Sequence, residues 1–463
     1  MKKRTKLTWA ALATTLLAAG VVIPTAQAQT ADALLDKLVE KGVITVKEAN
    51  ELRDQSDEGF NKAMQARTGL PNWVTQLKFY GDVRGRWELF RTENDDPGVG
   101  APNKDRDRLR YRLRAGATVQ MKSGLELGFR LTSSEPNGSF GGDPISGNTT
   151  MQDNGSKKFV YIDLAYGKWT PINSGPWLLS GTIGKMENPF VVSDMVFDGD
   201  YTPEGVALQS AYAFNDSHTL KLNGAMFVLD EINQGGEASN DPLMFGIQAR
   251  YDAKWTPKLA STLGVGWYAI TEANTNLSSA FVPNVNVGNT RNAAGNLLND
   301  YYPVVLDAGV TYTLDALPLV PGIYPGTFPI RVAGEFMKNP GANGHNEGVW
   351  GGVFFGKSGK KGTWEVSWRY KRLEQDAQYE EFTDSDFGAY YAATPAGFGQ
   401  GAGYRSGTGA QGHVVKAVYS ISDSFSIGAT WFYTEVIDPR NLATNTEFES
   451  GMHRVQVDAI WKF

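Results

Sequence analysis

Seven arginines stand at alternate positions on three neighbouring stretches: Arg84 and Arg86, then Arg108, Arg110, Arg112 and Arg114, then Arg130. In an extended chain alternate residues share one face, so this spacing builds a ladder of guanidinium groups. Such a ladder repels itself unless water or counter-charge screens it. Asp82 and Glu88 lie on the same face and are natural partners. Two readings follow: a wet, partly salt-bridged surface, or a basic wall that draws anions by focusing the field. A second set is acidic. Between residues 186 and 205 come Glu187, Asp194, Asp198, Asp200 and Glu204, interleaved with Phe190, Val191, Val192, Met195, Val196 and Phe197. A loop this apolar must bury its side chains, and folding back into a protein interior is one way. Opposed basic and acidic surfaces make an electrostatic filter rather than a catalytic centre.

Other chemistry is weakly supported. Gly351–Ser358 fits the expression for a phosphate loop, but its middle residues alternate as a strand and a turn follows, whereas phosphate cradling needs a helix start. His218, His345, His413 and His453 are far apart and lack metal-ligand spacing. Asp95, Asp96, Asp105 and Asp107 read as solvated loop charge, with calcium or lipopolysaccharide contact as the sharper alternative. The chain has no cysteine and no Gly-x-Ser-x-Gly elbow. No enzymatic role, metal or cofactor is expected.

The elements that carry these residues alternate with period two from Gln76 onward. Leu109, Tyr111, Leu113 and Ala115 oppose the arginines, and Trp364, Val366, Trp368 and Tyr370 oppose Glu365, Ser367, Arg369 and Lys371. Short turns near 122–124, 171–176, 215–217, 256–258, 357–362 and 422–424 alternate with long polar loops near 91–107, 134–156, 186–203, 231–242, 273–301, 375–410 and 438–452. A Pro-rich turn at 315–328 and a short loop at 339–346 complete the series. The expectation is an all-β, transmembrane antiparallel β-barrel of about 16 strands over residues 73–463, with eight external loops and seven turns. Lipid offers no hydrogen-bond partners, and only a closed sheet has no edge. A solenoid would show a fixed repeat, and none is visible; a sandwich seldom needs so many strands of about ten residues. Trp73, Trp169, Trp177, Trp255 and Trp461 fall near strand ends, as interfacial girdles do.

Upstream, Lys2, Lys3, Arg4 and Lys6 precede an apolar run to Ile23 and the exit Ala26-Gln27-Ala28, a secretory leader over residues 1–28. Losing its four basic residues takes the formal charge from −6 to −10, which disfavours nucleic-acid binding. Residues 29–72 read as a short helical N-terminal extension. Leu34, Leu35, Leu38 and Val39 form a stripe, and Thr45 with Glu48 fits a capping box. This piece is expected to be either a helical hairpin or a periplasmic oligomerisation element.

Several phrases carry a family resemblance. The closing strand Arg454–Phe463, with aromatics at Trp461 and Phe463, resembles the last strand of bacterial outer-membrane barrels, where that terminus is an assembly signal read by the barrel-assembly machinery. Gly184–Phe190, Pro203–Leu208, Phe79–Arg86 and Leu35–Thr45 resemble the putative-porin family and the related phosphate-selective-type porins. The resemblance implies an outer-membrane porin in contact with lipid and lipopolysaccharide, and a homotrimer by analogy with porins. It also implies a third loop folded inward, its carboxylates facing a basic wall. The expected function is passive diffusion of small hydrophilic solutes or ions with some anion preference. Against phosphate selectivity stand the net negative charge and the lack of a lysine cluster. The rival reading is a structural or adhesive barrel with a plugged lumen.

Overall fold

The computed structural model describes residues 69–93, 105–136, 141–231, 241–274, 287–292, 296–317, 322–388, 407–437, 440–441, 446–447 and 449–463. The expected leader over residues 1–28 and nearly all of the expected helical extension over 29–72 lie outside them. The compact unit Val74–Phe463 carries the strands.

In chain order these are β1 (Val74–Thr92), β2 (Arg106–Met121), β3 (Leu125–Ser133), β4 (Thr149–Thr150), β5 (Val160–Ser174), β6 (Trp177–Lys185), β7 (Glu204–Asn215), β8 (His218–Val228), β9 (Leu243–Lys254) and β10 (Leu259–Ile270). There follow β11 (Val304–Leu314), β12 (Phe328–Lys338), β13 (Glu347–Gly356), β14 (Trp364–Leu373), β15 (Ala410–Ser420), β16 (Phe425–Val436), β17 (Arg440–Asn441), β18 (Thr446–Glu447) and β19 (Met452–Lys462). β17 and β18 pair only with each other, and β4 is a two-residue patch docked on β2. The other sixteen form one antiparallel sheet in which each strand pairs with its neighbours in sequence. β19 then pairs with β1 from Asp82↔Lys462 to Thr92↔Met452, and the sheet closes. Beyond this seam Gly81 and Phe463 exchange backbone hydrogen bonds of 3.0 and 3.1 Å, while the start of β1 pairs with β2 alone.

The sides of the sheet are reversed relative to a water-soluble protein. Phe79, Ile183 and Leu208 are 69%, 65% and 63% exposed, whereas Glu88, Gln248 and Lys371 are 0%, 1% and 3% exposed. An apolar exterior around a polar interior is stable where the surroundings are hydrocarbon. Trp169, Trp177, Trp255 and Trp461 lie outside near the turn-side strand ends, and Trp461 stacks on Phe425 at 4.7 Å.

The turns are tight because their residues reach unusual backbone angles. At Lys122–Gly124, Ser123 and Gly124 have φ of 66° and 73°, and a Cβ on Gly124 would meet the Thr170 carbonyl oxygen at 2.4 Å. The turn expected over 171–176 is shorter in the structure. β5 continues through a bulge after Trp169 to pair Ser174 with Trp177, leaving Gly175 and Pro176 as the turn. The phosphate-loop expression falls on β13 and the turn after it, with no helix behind it.

Candidate functional site

The basic wall is built by strand register. β1 and β2 set four side-chain pairs on the lumen face: Asp82↔Arg114, Arg84↔Arg112, Arg86↔Arg110 and Glu88↔Arg108. The outer pairs are acid against base; the inner two set arginine against arginine. Like charges placed opposite are destabilising, so the inner four need help from elsewhere.

Two of them receive it. Arg86 faces Asp458 on β19 and donates Nε to it at 2.7 Å, with Nη1 donating to Asp386 at 3.0 Å. Arg112 donates to Asp82 at 3.0 Å and to Asp200 at 3.0 Å, and Arg114 shares both carboxylates at 2.6 and 3.5 Å. Arg454 on β19 bonds Glu88 and, at 2.6 Å, Asp386, and Arg108 bonds Glu88 as well. The result is two closed networks. Asp82 and Asp200 balance Arg112 and Arg114; Glu88, Asp386 and Asp458 balance Arg86, Arg108 and Arg454. Arg130, on β3, bonds Asp163 and Glu187.

Arg84 and Arg110 stay outside both networks. On β19 the partner of Arg84 is Ile460, and on β4 the partner of Arg110 is Thr150, so register supplies neither with an acid. Both turn to Asn148, just before β4: Arg84 Nη2 donates to Asn148 Oδ1 at 2.5 Å and Arg110 Nη2 to the Asn148 carbonyl oxygen at 3.2 Å.

The acidic loop, residues 186–203, does fold inward and crosses the lumen. Phe190, Met195, Val196 and Phe197 are buried in a cluster with Phe227, Met244, Tyr268 and Met337 from the strands and Tyr379 and Phe382 from the loop after β14. Phe190 seats against Gly246, where a Cβ would come within 2.4 Å of its ring, and lies edge-on to Tyr268 at 5.0 Å between centroids. Val191 departs from expectation and is exposed, because its backbone rather than its side chain docks: Gln248 bonds its amide and its carbonyl at 3.0 and 2.8 Å. Ser193 bonds Glu335, which also accepts from Trp350 Nε1 at 3.2 Å.

The five acidic residues read from the sequence meet different partners. Asp200 and Glu187 face the arginine wall. Asp194 instead reaches Arg369 at 2.8 Å and Lys371 at 3.4 Å on β14. Glu204 lies on β7 and pairs with Lys185 at 3.1 Å. Among the described residues no cation bonds Asp198; it accepts the backbone amides of Asp200 at 2.7 Å and Ser385 at 3.0 Å. Burial, with Asp384 and Asp200 nearby, pushes its carboxyl well above the ordinary range. Burial would also raise Asp386, but Arg454, Arg86 and Arg84 hold it well below.

Asp384, Asp386, Arg369, Lys371, Glu335, Arg454, Asp458 and Asn148 were not picked out as site residues in the sequence. Arg454, Asp458, Arg369 and Lys371 did sit on the polar faces of alternating strands, which is the signal that finds them. The residues of the loop after β14 carry no periodicity. Beside the inward loop, Arg114, Asp163, Lys185, Asp200, Tyr161 and Ile162 help line a cavity of about 470 Å³ with mixed polar and apolar walls.

A closed barrel with a polar interior and an inward loop is the geometry against which relatives can be compared. Residues 90–297 match the putative porin family. That match agrees with the putative-porin part of the resemblance read from the sequence. Solved structures to which this chain is similar include Pseudomonas putida OprB at high pH (TM-score 0.49, 11% identity, 86% of this chain and 96% of that one). Salmonella typhi OmpF in complex with daunomycin gives TM-score 0.44 and 10% identity over 85% and 99% of the two chains. A loop L8 deletion mutant of Vibrio cholerae OmpT gives 0.42 and 11% over 84% and 99%. No curated protein matches the chain.

Proposed function

We propose that this barrel is an outer-membrane porin through which small hydrophilic solutes diffuse passively, with a preference for anions set at the inward loop. The observation that carries the reading is the polar interior of a closed sixteen-stranded sheet crossed by one acidic loop. Sixteen strands leave room for an aqueous path. The sign of the preference rests on which arginines lack a carboxylate bond: Asp82, Glu88, Asp163 and Asp458 from the strands, with Asp200, Glu187 and Asp386 from the two loops, pair with the other wall arginines, and among the described residues Arg84 and Arg110 bond only Asn148. Selectivity would then come from two arginines rather than seven. Export by residues 1–28, assembly through the Trp461–Phe463 terminus and trimer formation belong to the same reading.

Planar-bilayer recording of the mature protein tests it. Stable single-channel steps, with a reversal potential of anion-preferring sign in a salt gradient, are expected. Replacing both Arg84 and Arg110 by glutamine should remove the preference while leaving the steps. The aromatic packing of two loops within the lumen favours one rival, a plugged structural barrel. Folded protein that conducts nothing would decide for it.

A further inference from the structure

We propose that Asn289 and Asn339 are positioning residues for the pore: from the connections after β10 and β12 they hold residues 374–388 in the lumen, and that segment latches the inward loop in place. The inference deepens the porin reading, on which it rests, by moving control of the path's width away from the inward loop itself.

Residues 374–388 follow β14 and belong to no strand; their one regular piece is a turn of 3₁₀ helix, Glu380–Phe382. Yet Asp376, Gln378 and Glu380 are all buried. An irregular segment buried this deeply must find partners for its backbone, and two asparagines supply them. Asn339, fully buried, donates Nδ2 to the carbonyl oxygens of Asp300 and Asp376, both at 2.8 Å. Its Oδ1 accepts the amides of Tyr302 and Gly341 at 2.9 and 3.0 Å. Asn289, also fully buried, donates Nδ2 to the carbonyl oxygens of Gln375 and Gln378 at 2.6 and 2.8 Å and accepts the amide of Glu380 at 2.9 Å. Carboxylates of the segment answer in the other direction. Asp376 accepts the Thr290 amide and hydroxyl at 3.0 and 2.6 Å, and Glu380 accepts the amides of Val287 and Asn289 at 3.0 and 2.8 Å.

The far end of the segment grips the inward loop. The Phe382 carbonyl oxygen accepts the Asp198 amide at 2.6 Å, and the amides of Asp384 and Ser385 donate to the Asp194 carbonyl oxygen and the Asp198 carboxylate, each at 3.0 Å. The Phe382 ring lies 5.3 Å from Phe197 and 5.0 Å from Tyr201 between centroids. Asp386 meets Arg86 at 3.0 Å and Arg454 at 2.6 Å. One short segment thus joins the two asparagines at one end to the inward loop and the basic wall at the other. Neither asparagine belongs to a strand, so the sheet closes without them. Truncating either leaves buried carbonyl oxygens and an amide without partners, a penalty that the segment relieves by moving toward water.

The test pairs planar-bilayer recording of the mature protein with hydrogen exchange of the same protein in detergent. In Asn289→Ala and Asn339→Ala, exchange at the amides of Asp198, Asp384 and Ser385 should rise about tenfold, because the loss of a buried partner opens the segment locally. Amides that pair β1 with β19 should keep their rates. Single-channel conductance should rise, and the reversal potential should shift toward anion preference as Asp386 is drawn away from Arg86 and Arg454. Thr290→Val removes only the hydroxyl bond to Asp376 and should give the same signs at smaller size, which keeps the question answerable should an asparagine variant fail to fold. Asn215→Ala, at the end of β7, should behave as the unaltered protein does. Unchanged exchange at the three amides, or raised exchange with conductance and reversal potential unmoved, would overturn the proposal. If the unaltered protein conducts nothing, the porin reading fails, and exchange alone then decides whether the asparagines hold the segment.

Discussion

Against β1, β2 and β3 the inward loop meets charge; against β8, β9 and β10 it meets oil. On the first side Asp200 and Glu187 join arginines already linked to other carboxylates. On the second, Phe190 and Phe197 pack on Phe227, Met244 and Tyr268. The difference is one of tolerance. Apolar packing degrades in proportion to the volume removed, whereas a buried ion network fails when any one member leaves, because the others keep their desolvation cost. The charged side therefore fixes the position of the loop, and the apolar side supplies much of its adhesion.

The comparison can be broken most severely at Arg454. Arg454→Ala leaves the fully buried Glu88 and the neighbouring Asp386 short of a cation. A loss of about 3–5 kcal/mol is expected, read as a lower urea midpoint for the whole barrel. Next comes Phe190→Ala, which should weaken the seating of the loop by about 3 kcal/mol. Because no strand is altered, the unfolding midpoint should move little while single-channel conductance and its noise rise. Asp200→Asn is milder: it removes one negative charge shared by Arg112 and Arg114. The reversal potential should move further toward anion preference, with conductance nearly unchanged.

The smallest effect expected is one of pH. The Asp198 carboxyl is raised by burial and by Asp384 and Asp200, and Lys371 is the cation bonded to Asp384. A raised carboxyl contributes stability that is fully present below its unfolded value, near 3.9, and that is lost as pH rises through the folded value. Contact between residues 196–201 and 380–386 should accordingly loosen with rising pH. Hydrogen exchange in these two segments, corrected for intrinsic rate, should increase, and Asp198→Asn should flatten the trend. Asp386, held well below the ordinary range, should not release until far more acidic conditions.

Much of this was legible in the residues. Period-two alternation placed the strands, because the same pleat that sorts lipid from lumen sorts leucine from arginine. Residues 186–203 stood out as the inward loop because six apolar side chains in one connection have to be covered. Asp82 and Glu88 were readable as partners of the ladder for the same reason. What could not be read was which arginine meets which acid. That depends on the cross-strand register, and for Arg86 and Asp458 it depends on closure between the two ends of the sheet. The contributions of Asp384 and Asp386 come from a loop with no repeating pattern, where position follows from tertiary contact alone.

The seam between β19 and β1 has a further consequence, for the order in which the molecule folds. Apart from the two-residue β2–β4 patch, the other pairings of this sheet join strands that are successive around the barrel, so each closes a far shorter stretch of chain. The bonds between Gly81 and Phe463 join residues from opposite ends of the described sheet. Closing so long a loop is slow relative to hairpin formation, and contacts distant in sequence dominate folding time. Until that zipper closes, β1 and β19 are both open edges that can capture another chain. The rate at which the seam forms, rather than the strength of any one hairpin, should set how much of the protein reaches its native state.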